Sequence, residues 1–187
     1  MDCKPEYLVQ FAVMGSAYMQ AIYGIQSPKV GLLSVGTEDE KGNAQTKAAF
    51  ELLKKAPINF VGNMEARDAV SGDYDVLVAD GFVGNVMLKS LEGAMNLMMT
   101  ALKQSVMERT LSKIGAVLMK PSLKKLKNRL DYNKIGGAPF LGCKKIVIKT
   151  HGSSTAQTFT AAILQAASMA KQNLIEKIQT GLSNIVQ

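Results

Sequence analysis

The sequence has few of the residues from which disulfides and zinc sites are built. Its 187 residues include two cysteines, Cys3 and Cys143, a single histidine and no tryptophan. These three side chains are too few to complete an ordinary His/Cys zinc site. We therefore expect neither a disulfide framework nor structural zinc.

The chain also lacks any apolar run that approaches the roughly 20 residues needed to cross a bilayer. Its amino terminus has no basic stretch followed by an apolar core, so it does not read as a secretion signal. The apolar content of 47% and the charged content of 20% are typical of a soluble globular protein. One ordinary domain in the cytoplasm is the expectation.

Two common catalytic motifs are absent. The sequence contains no Gly-Lys-Ser/Thr phosphate loop and no Gly-x-Ser-x-Gly nucleophile elbow. Nucleotide hydrolysis and serine esterase chemistry are therefore disfavoured.

Positive charge, by contrast, is abundant and concentrated. The formal net charge is +7, and one segment holds a dense group of basic residues against the single acid Asp131: Lys113, Lys120, Lys124, Lys125, Lys127, Arg129 and Lys134. Such a block suits an anionic lipid surface, an acidic protein or simply a solvated helix face. Nucleic acid is disfavoured, because Tyr132 is the one aromatic residue interleaved with these charges.

The hydrophobic pattern predicts an α/β fold with a largely parallel sheet. Short apolar runs rich in β-branched residues alternate with longer segments of helical period, as in βαβ units. The predicted strands are residues 30–35, 58–61, 74–79 and 146–150, and the predicted helices are residues 7–23, 44–55, 85–109, 122–130 and 155–179. Within this pattern we predict a protruding helical hairpin over about residues 86–130, with its tip at residues 115–121.

The loop from Asp80 to Asn85 is the first candidate for chemistry, because ligands of open parallel sheets bind at the carboxyl ends of strands. Gly81 and Gly84 permit close backbone approach, and free amides at a helix start favour phosphate. Asn85 is expected to cap the helix, with Lys89 one turn further along. The alternative is that the glycines merely form a tight turn.

A second candidate loop follows the last predicted strand. Lys149, His151, Gly152 and Ser153 lie between this strand and the closing helix. A histidine in such a loop can serve as acid, base or phosphate ligand, although a solitary histidine is as often structural.

Two further polar turns are weaker candidates. The loop of residues 35–43 offers Thr37, Lys41 and Asn43 as donors, but three consecutive acids there would repel an anion unless they face away. In the next turn, Arg67 can hold phosphate with two hydrogen bonds or simply pair with Asp68.

Taken together, these segments resemble the phosphate acyltransferase family known as PlsX. The stretches that carry the resemblance are residues 2–6 (DCKPE), 31–36 (GLLSVG), 41–43 (KGN), 59–63 (NFVGN) with Glu65 and 67–68 (RD), 80–85 (DGFVGN), Tyr132 with 136–138 (GGA), and Lys149 with 151–154 (HGSS). Each stretch alone is weak, but the set in this order and spacing is specific.

The resemblance implies a three-layer αβα fold like that of isocitrate and isopropylmalate dehydrogenases, and a homodimer at the inner face of the cytoplasmic membrane. It implies formation of acyl-phosphate from acyl-carrier protein and inorganic phosphate, without a metal or cofactor. On this basis we expect phosphate binding by Gly81, Gly84, Asn85, Lys89, Gly152 and Ser153, and catalytic roles for His151, Lys149 and Asn85. Contact with membrane or carrier protein is expected at Leu118, Met119, Lys120, Lys124 and Lys125.

The resemblance also sets an expectation about length. Members of the family are about twice as long, so residues 1–187 are expected to form the carboxyl-terminal part of an acyltransferase domain. Two alternatives stay open: a short-chain enzyme like phosphate acetyltransferase that uses coenzyme A, and a noncatalytic membrane or carrier-protein adaptor.

Overall fold

A three-stranded parallel sheet forms the centre of the protein. The computed structural model describes residues 3–129, 136–152 and 154–185, with the backbone alone for residues 127–129. Strand β1 (Val30–Ser34) lies between β2 (Phe60–Glu65) and β3 (Val76–Val78), and both neighbours run parallel to it. The predicted α/β class is confirmed.

Strand β1 is central because its side chains suit burial on both faces. Val30 and Leu32 are fully buried, and Leu33 is nearly so, as expected for a continuous apolar run in a parallel sheet. Gly31 leaves space that its neighbours fill: an added Cβ would lie 2.7 Å from both Met64 Sδ and Tyr74 Cδ1. The sequence of β1 is therefore tied to the packing around it.

Helices α1 (Pro5–Tyr23) and α2 (Ala44–Leu53) cover this sheet and contact each other. Pro5 suits the first turn of α1, and Gly24, with φ of 71°, ends the helix by donating its amide to the carbonyl of Met19. The main core joins both helices to the sheet through Leu8, Val9, Ala12, Val30, Leu32, Ala49, Phe50, Leu53 and Val78.

A second core forms where the end of the described chain returns to α1. Helices α5 (Ala156–Lys171) and α6 (Leu174–Ser183) bury Met169, Leu174 and Ile178 against α1. The prediction of one helix over residues 155–179 was wrong, because the chain breaks at Asn173, which adopts a left-handed φ of 52°. Asparagine tolerates this conformation better than most residues.

The fourth predicted strand does not extend the parallel sheet in the part of the chain that the structure describes. It shortens to β5 (Ile148–Lys149), which pairs antiparallel with β4 (Ala138–Pro139) in a sheet of two strands. Residues 136–139, predicted as a turn, thus include a short strand. The dehydrogenase-like, three-layer arrangement stays a prediction.

Two long helices follow β3. Helix α3 (Gly81–Glu108) and helix α4 (Thr110–Arg129) contact each other and are separated by Arg109, which is extended with φ of −123° and ψ of 140°. The predicted tip at residues 115–121 was wrong, since Gly115 and Pro121 lie inside α4. The prediction relied on helix-breaking residues, whereas the chain turns at an arginine that carries no such signal. The protruding hairpin itself stays a prediction.

Candidate functional site

A cavity lies at the carboxyl ends of the parallel strands. Its volume is about 630 Å³, within the usual range of small-molecule sites. Residues at the ends of β1, β2 and β3 contribute to it, together with α1, the start of α2 and the first turns of α3: Leu8, Leu32, Leu33, Ser34, Val35, Gly42, Asn43, Thr46, Ala66, Arg67, Ala79, Asp80, Val83, Val86, Met87, Ser90, Leu91 and Ala94.

The start of α2 supplies part of the polar rim. Asn43 caps this helix: its Oδ1 accepts the amide of Thr46 at 2.9 Å. Gly42 precedes it with φ of 117°, and an added Cβ would collide with Thr46 Oγ1 and lie 3.1 Å from Ser34 Oγ. The hydroxyl of Ser34 is buried and has no hydrogen-bond partner among the described residues. A glycine is therefore required where three polar side chains converge.

Arg67 lies on the rim just after β2. It belongs to the 3₁₀ turn Ala66–Val70, in which Glu65 and Asp68 form a reciprocal capping box. The guanidinium pairs with Glu65 and lies 3.8 Å from the carboxylate of Asp68, while its side chain is 81% exposed. Arg67 was predicted either to hold phosphate or to pair with Asp68, and the structure shows the ion pairing.

Asp80 organises the start of α3. Its Oδ1 accepts the amides of Phe82 and Val83, both at 2.8 Å, and its carbonyl accepts the amide of Gly84 at 2.9 Å. The capping role expected of Asn85 was therefore wrong, because the helix begins at Gly81 and Asp80 is the cap. Three amides that were expected to be available to an anion already have acceptors.

The other residues of this segment that were predicted to bind phosphate are not among the described residues that line the cavity. Asn85 is exposed, and Lys89 forms an ion pair with Glu92 at 2.7 Å along α3. The described lining of the cavity includes Asp80 and Val83 but not Gly81, Gly84, Asn85 or Lys89. Their role in phosphate binding stays a prediction.

The loop after β5 is likewise outside the described lining of this cavity. Lys149, His151 and Gly152 are exposed, and the carbonyl of His151 accepts the amide of Ser154 at 3.0 Å. Ser153 falls outside the described residues. The structure thus places strand ends from three βα units around one cavity but does not bring the histidine loop to it.

The loop after β1 contributes more to the cavity than its sequence predicts. Its three acids made residues 35–43 a weak candidate, yet Glu38, Asp39 and Glu40 are exposed and none lies in the described lining of the cavity. The carboxylate Oδ2 of Asp39 lies 3.6 Å from the Nζ of Lys54. The sequence does contain one signal for this part of the cavity. Asn43 stands immediately before a segment of helical period, as a helix cap does.

The segment expected to meet membrane or carrier protein is exposed on α4. Leu118 and Met119 are 78% and 57% exposed, and Lys120, Lys124 and Lys125 are exposed beside them. Among the described residues, no helix combines the length and apolar character required for a membrane span.

Comparison with known proteins gives consistent matches over nearly the whole chain. The profile of a family described as "Fatty acid synthesis protein" matches residues 1–177. The chain is 49% identical to the phosphate acyltransferase of Clostridium acetobutylicum over 185 residues, which cover 99% of this chain and 56% of the relative. It is 51% identical to the phosphate acyltransferase of Brevibacillus brevis over 182 residues, or 97% of this chain and 54% of that protein. The chain therefore spans about half the length of these curated relatives.

Proposed function

Because the chain belongs to the fatty acid synthesis protein family, we propose that it takes part in acyl transfer from an acyl-carrier protein to inorganic phosphate, for phospholipid synthesis. The observation that carries the proposal is the match along residues 1–177 together with relatives named phosphate acyltransferase. The cavity at the strand ends supports it, since this is where ligands of parallel sheets bind.

The proposed reaction makes three chemical demands. A phosphate oxygen attacks the thioester carbon, the carbon–sulfur bond breaks, and the proton of hydrogen phosphate ends on the departing thiolate. The protein must therefore hold a dianion, stabilise the oxyanion at the thioester carbon, and manage that proton. Asn43 and Thr46 at the start of α2 and Arg67 after β2 belong to the lining of the cavity and offer polar groups for these tasks.

The residues expected from the resemblance keep their proposed roles. We assign phosphate binding to Gly81, Gly84, Asn85 and Lys89 with Gly152 and Ser153, and proton or charge management to His151 and Lys149. Binding at the start of α3 requires that the anion compete with the Asp80 carboxylate for the amides of Phe82 and Val83. His151→Ala and Asn85→Ala are each expected to lower acyl transfer at least tenfold; near-normal rates in both would remove these assignments.

The exposed segment of α4 supports a peripheral membrane role. Leu118 and Met119 offer apolar surface next to Lys120, Lys124 and Lys125, so this face suits shallow insertion among anionic headgroups. We propose this at the inner face of the cell membrane, by a homodimer whose subunits have the dehydrogenase-like fold. Leu118→Glu is expected to weaken binding to anionic vesicles, whereas undiminished binding would contradict the membrane role.

The direct test of acyl transfer follows the release of free carrier protein from palmitoyl-carrier protein. The chain is incubated with and without phosphate, and the longer relative of Clostridium acetobutylicum serves as the positive control. Phosphate-dependent release by the chain supports the proposal. Release by the relative but not by the chain would contradict catalysis by this chain, and equal release from acetyl-coenzyme A would favour the short-chain alternative.

A further inference from the structure

One wall of the cavity is a continuous stripe of side chains on α3. Val83, Val86, Met87, Leu91 and Ala94 line the cavity, and Ser90 is the one polar residue among them. Their spacing of three and four residues places them on a single face of the helix. From Val83 to Ala94 the stripe is roughly 16 Å long at the rise of an α-helix.

The lining contributed by α1 and β1 is also largely apolar. Leu8 of α1 and Leu32 and Leu33 of β1 face the same cavity, and all three are buried. The polar residues of the rim belong mainly to the strand ends and to the start of α2. The strand ends thus contribute both polar and apolar residues to the cavity, whereas α3 contributes apolar residues apart from Ser90. This arrangement suits a ligand with one charged end and a long aliphatic tail.

We propose that this α3 stripe binds the aliphatic chain of the acyl group, and that Ala94, at the end farthest from the strand ends, limits the chain length accepted. The inference rests on the proposed function, because the polar rim must hold the reacting carbonyl and phosphate. A chain of this kind gains binding free energy from each methylene that leaves water. The small side chain of Ala94 leaves room for the distal methylenes.

The test compares the binding of palmitate and decanoate to the chain below their micellar concentrations, by isothermal titration calorimetry. Ala94→Leu adds bulk at the far end of the stripe and suits a helix, so the fold is expected to survive. We expect palmitate to bind at least about tenfold more weakly to this variant, because the leucine side chain takes the space of the distal methylenes and overpacking is costly. The affinity for decanoate is expected to change by less than about twofold.

Ala101→Leu is the matched control, because Ala101 is also exposed on α3 but does not belong to the described lining of the cavity. It is expected to leave both affinities within about twofold. Equal loss of palmitate binding in Ala94→Leu and Ala101→Leu would overturn the inference, as would equal loss of both fatty acids in Ala94→Leu.

The binding test can fail independently of the proposed function. If the chain releases carrier protein in a phosphate-dependent way but Ala94→Leu has no chain-length effect, acyl transfer is supported. The proposal that the α3 stripe binds the aliphatic chain is then overturned. If Ala94→Leu shows the expected chain-length effect but no carrier protein is released, binding of the aliphatic chain by the α3 stripe is supported. Acyl transfer by this chain is then contradicted.

Discussion

The sheet with its covering helices and the pair of long helices after it are stabilised in different ways. Strand β1 and helices α1 and α2 share a core of fully buried residues, whereas residues 81–126 on α3 and α4 contain no buried residue. Large apolar side chains such as Leu97 and Leu111 are 72% and 82% exposed there. The first region keeps its shape by burial, while the second leaves large apolar side chains exposed. The cavity lies where the two regions meet.

Removing a core side chain should give the largest contrast between the regions. Leu32→Ala in β1 is expected to lower the free energy of unfolding by about 2–5 kcal/mol, because it removes transfer free energy and leaves a space. Leu97→Ala on α3 is expected to change it by less than about 0.5 kcal/mol. Urea denaturation of both variants measures the difference, and similar losses would contradict the division into a buried and an exposed region.

A buried polar contact should give an intermediate effect in the first region. Asn63 is 3% exposed, and its Nδ2 donates to the carbonyl of Glu38 at 2.8 Å, which holds the loop between β1 and α2. Asn63→Leu is expected to cost about 1–3 kcal/mol, because the carbonyl loses its donor. The measurement is urea denaturation, with Asn59→Leu as the control for an exposed hydrogen bond; an equal cost in both would argue against the importance of burial.

Loss of the α3 cap should act locally and cost less. Asp80→Ala removes the acceptor for two amides, and such caps contribute about 1 kcal/mol. We expect faster hydrogen exchange over residues 82–86, with unchanged protection in β1. Asp80→Ser should retain most of the protection, and a uniform change across the chain would show that the cap stabilises both regions alike.

The smallest effect is expected from the ion pair between Lys89 and Glu92. Both side chains are well exposed, and pairs of this kind contribute about 0.2–0.5 kcal/mol. Lys89→Gln should therefore alter the thermal midpoint very little, and salt should reduce even that difference. A clear loss of stability would mean that Lys89 takes part in a contact that holds α3 to the rest of the chain.

The sequence predicted most of the first region well because its signals are local, although β2 runs over Phe60–Glu65 and not over the predicted residues 58–61. Continuous apolar runs marked β1 and β3, and the helix predicted over residues 7–23 closely matches α1. The sequence did not predict the features that depend on tertiary packing. No local signal marks Arg109 as the break between α3 and α4, and none shows that β5 pairs with β4. The same holds for the cavity, since Asn43, Arg67 and Asp80 are far apart in sequence and meet because parallel strands end at one edge.

We propose that the cavity at the strand ends binds the acyl group and phosphate of the proposed reaction. Amide chemical shifts of the labelled chain, measured while a palmitoyl phosphonate mimic of acyl-phosphate is added, test it most directly. We expect shifts at residues 42–46 and along residues 83–94, with little change over residues 111–126. Shifts confined to residues 111–126, with the cavity unperturbed, would contradict it.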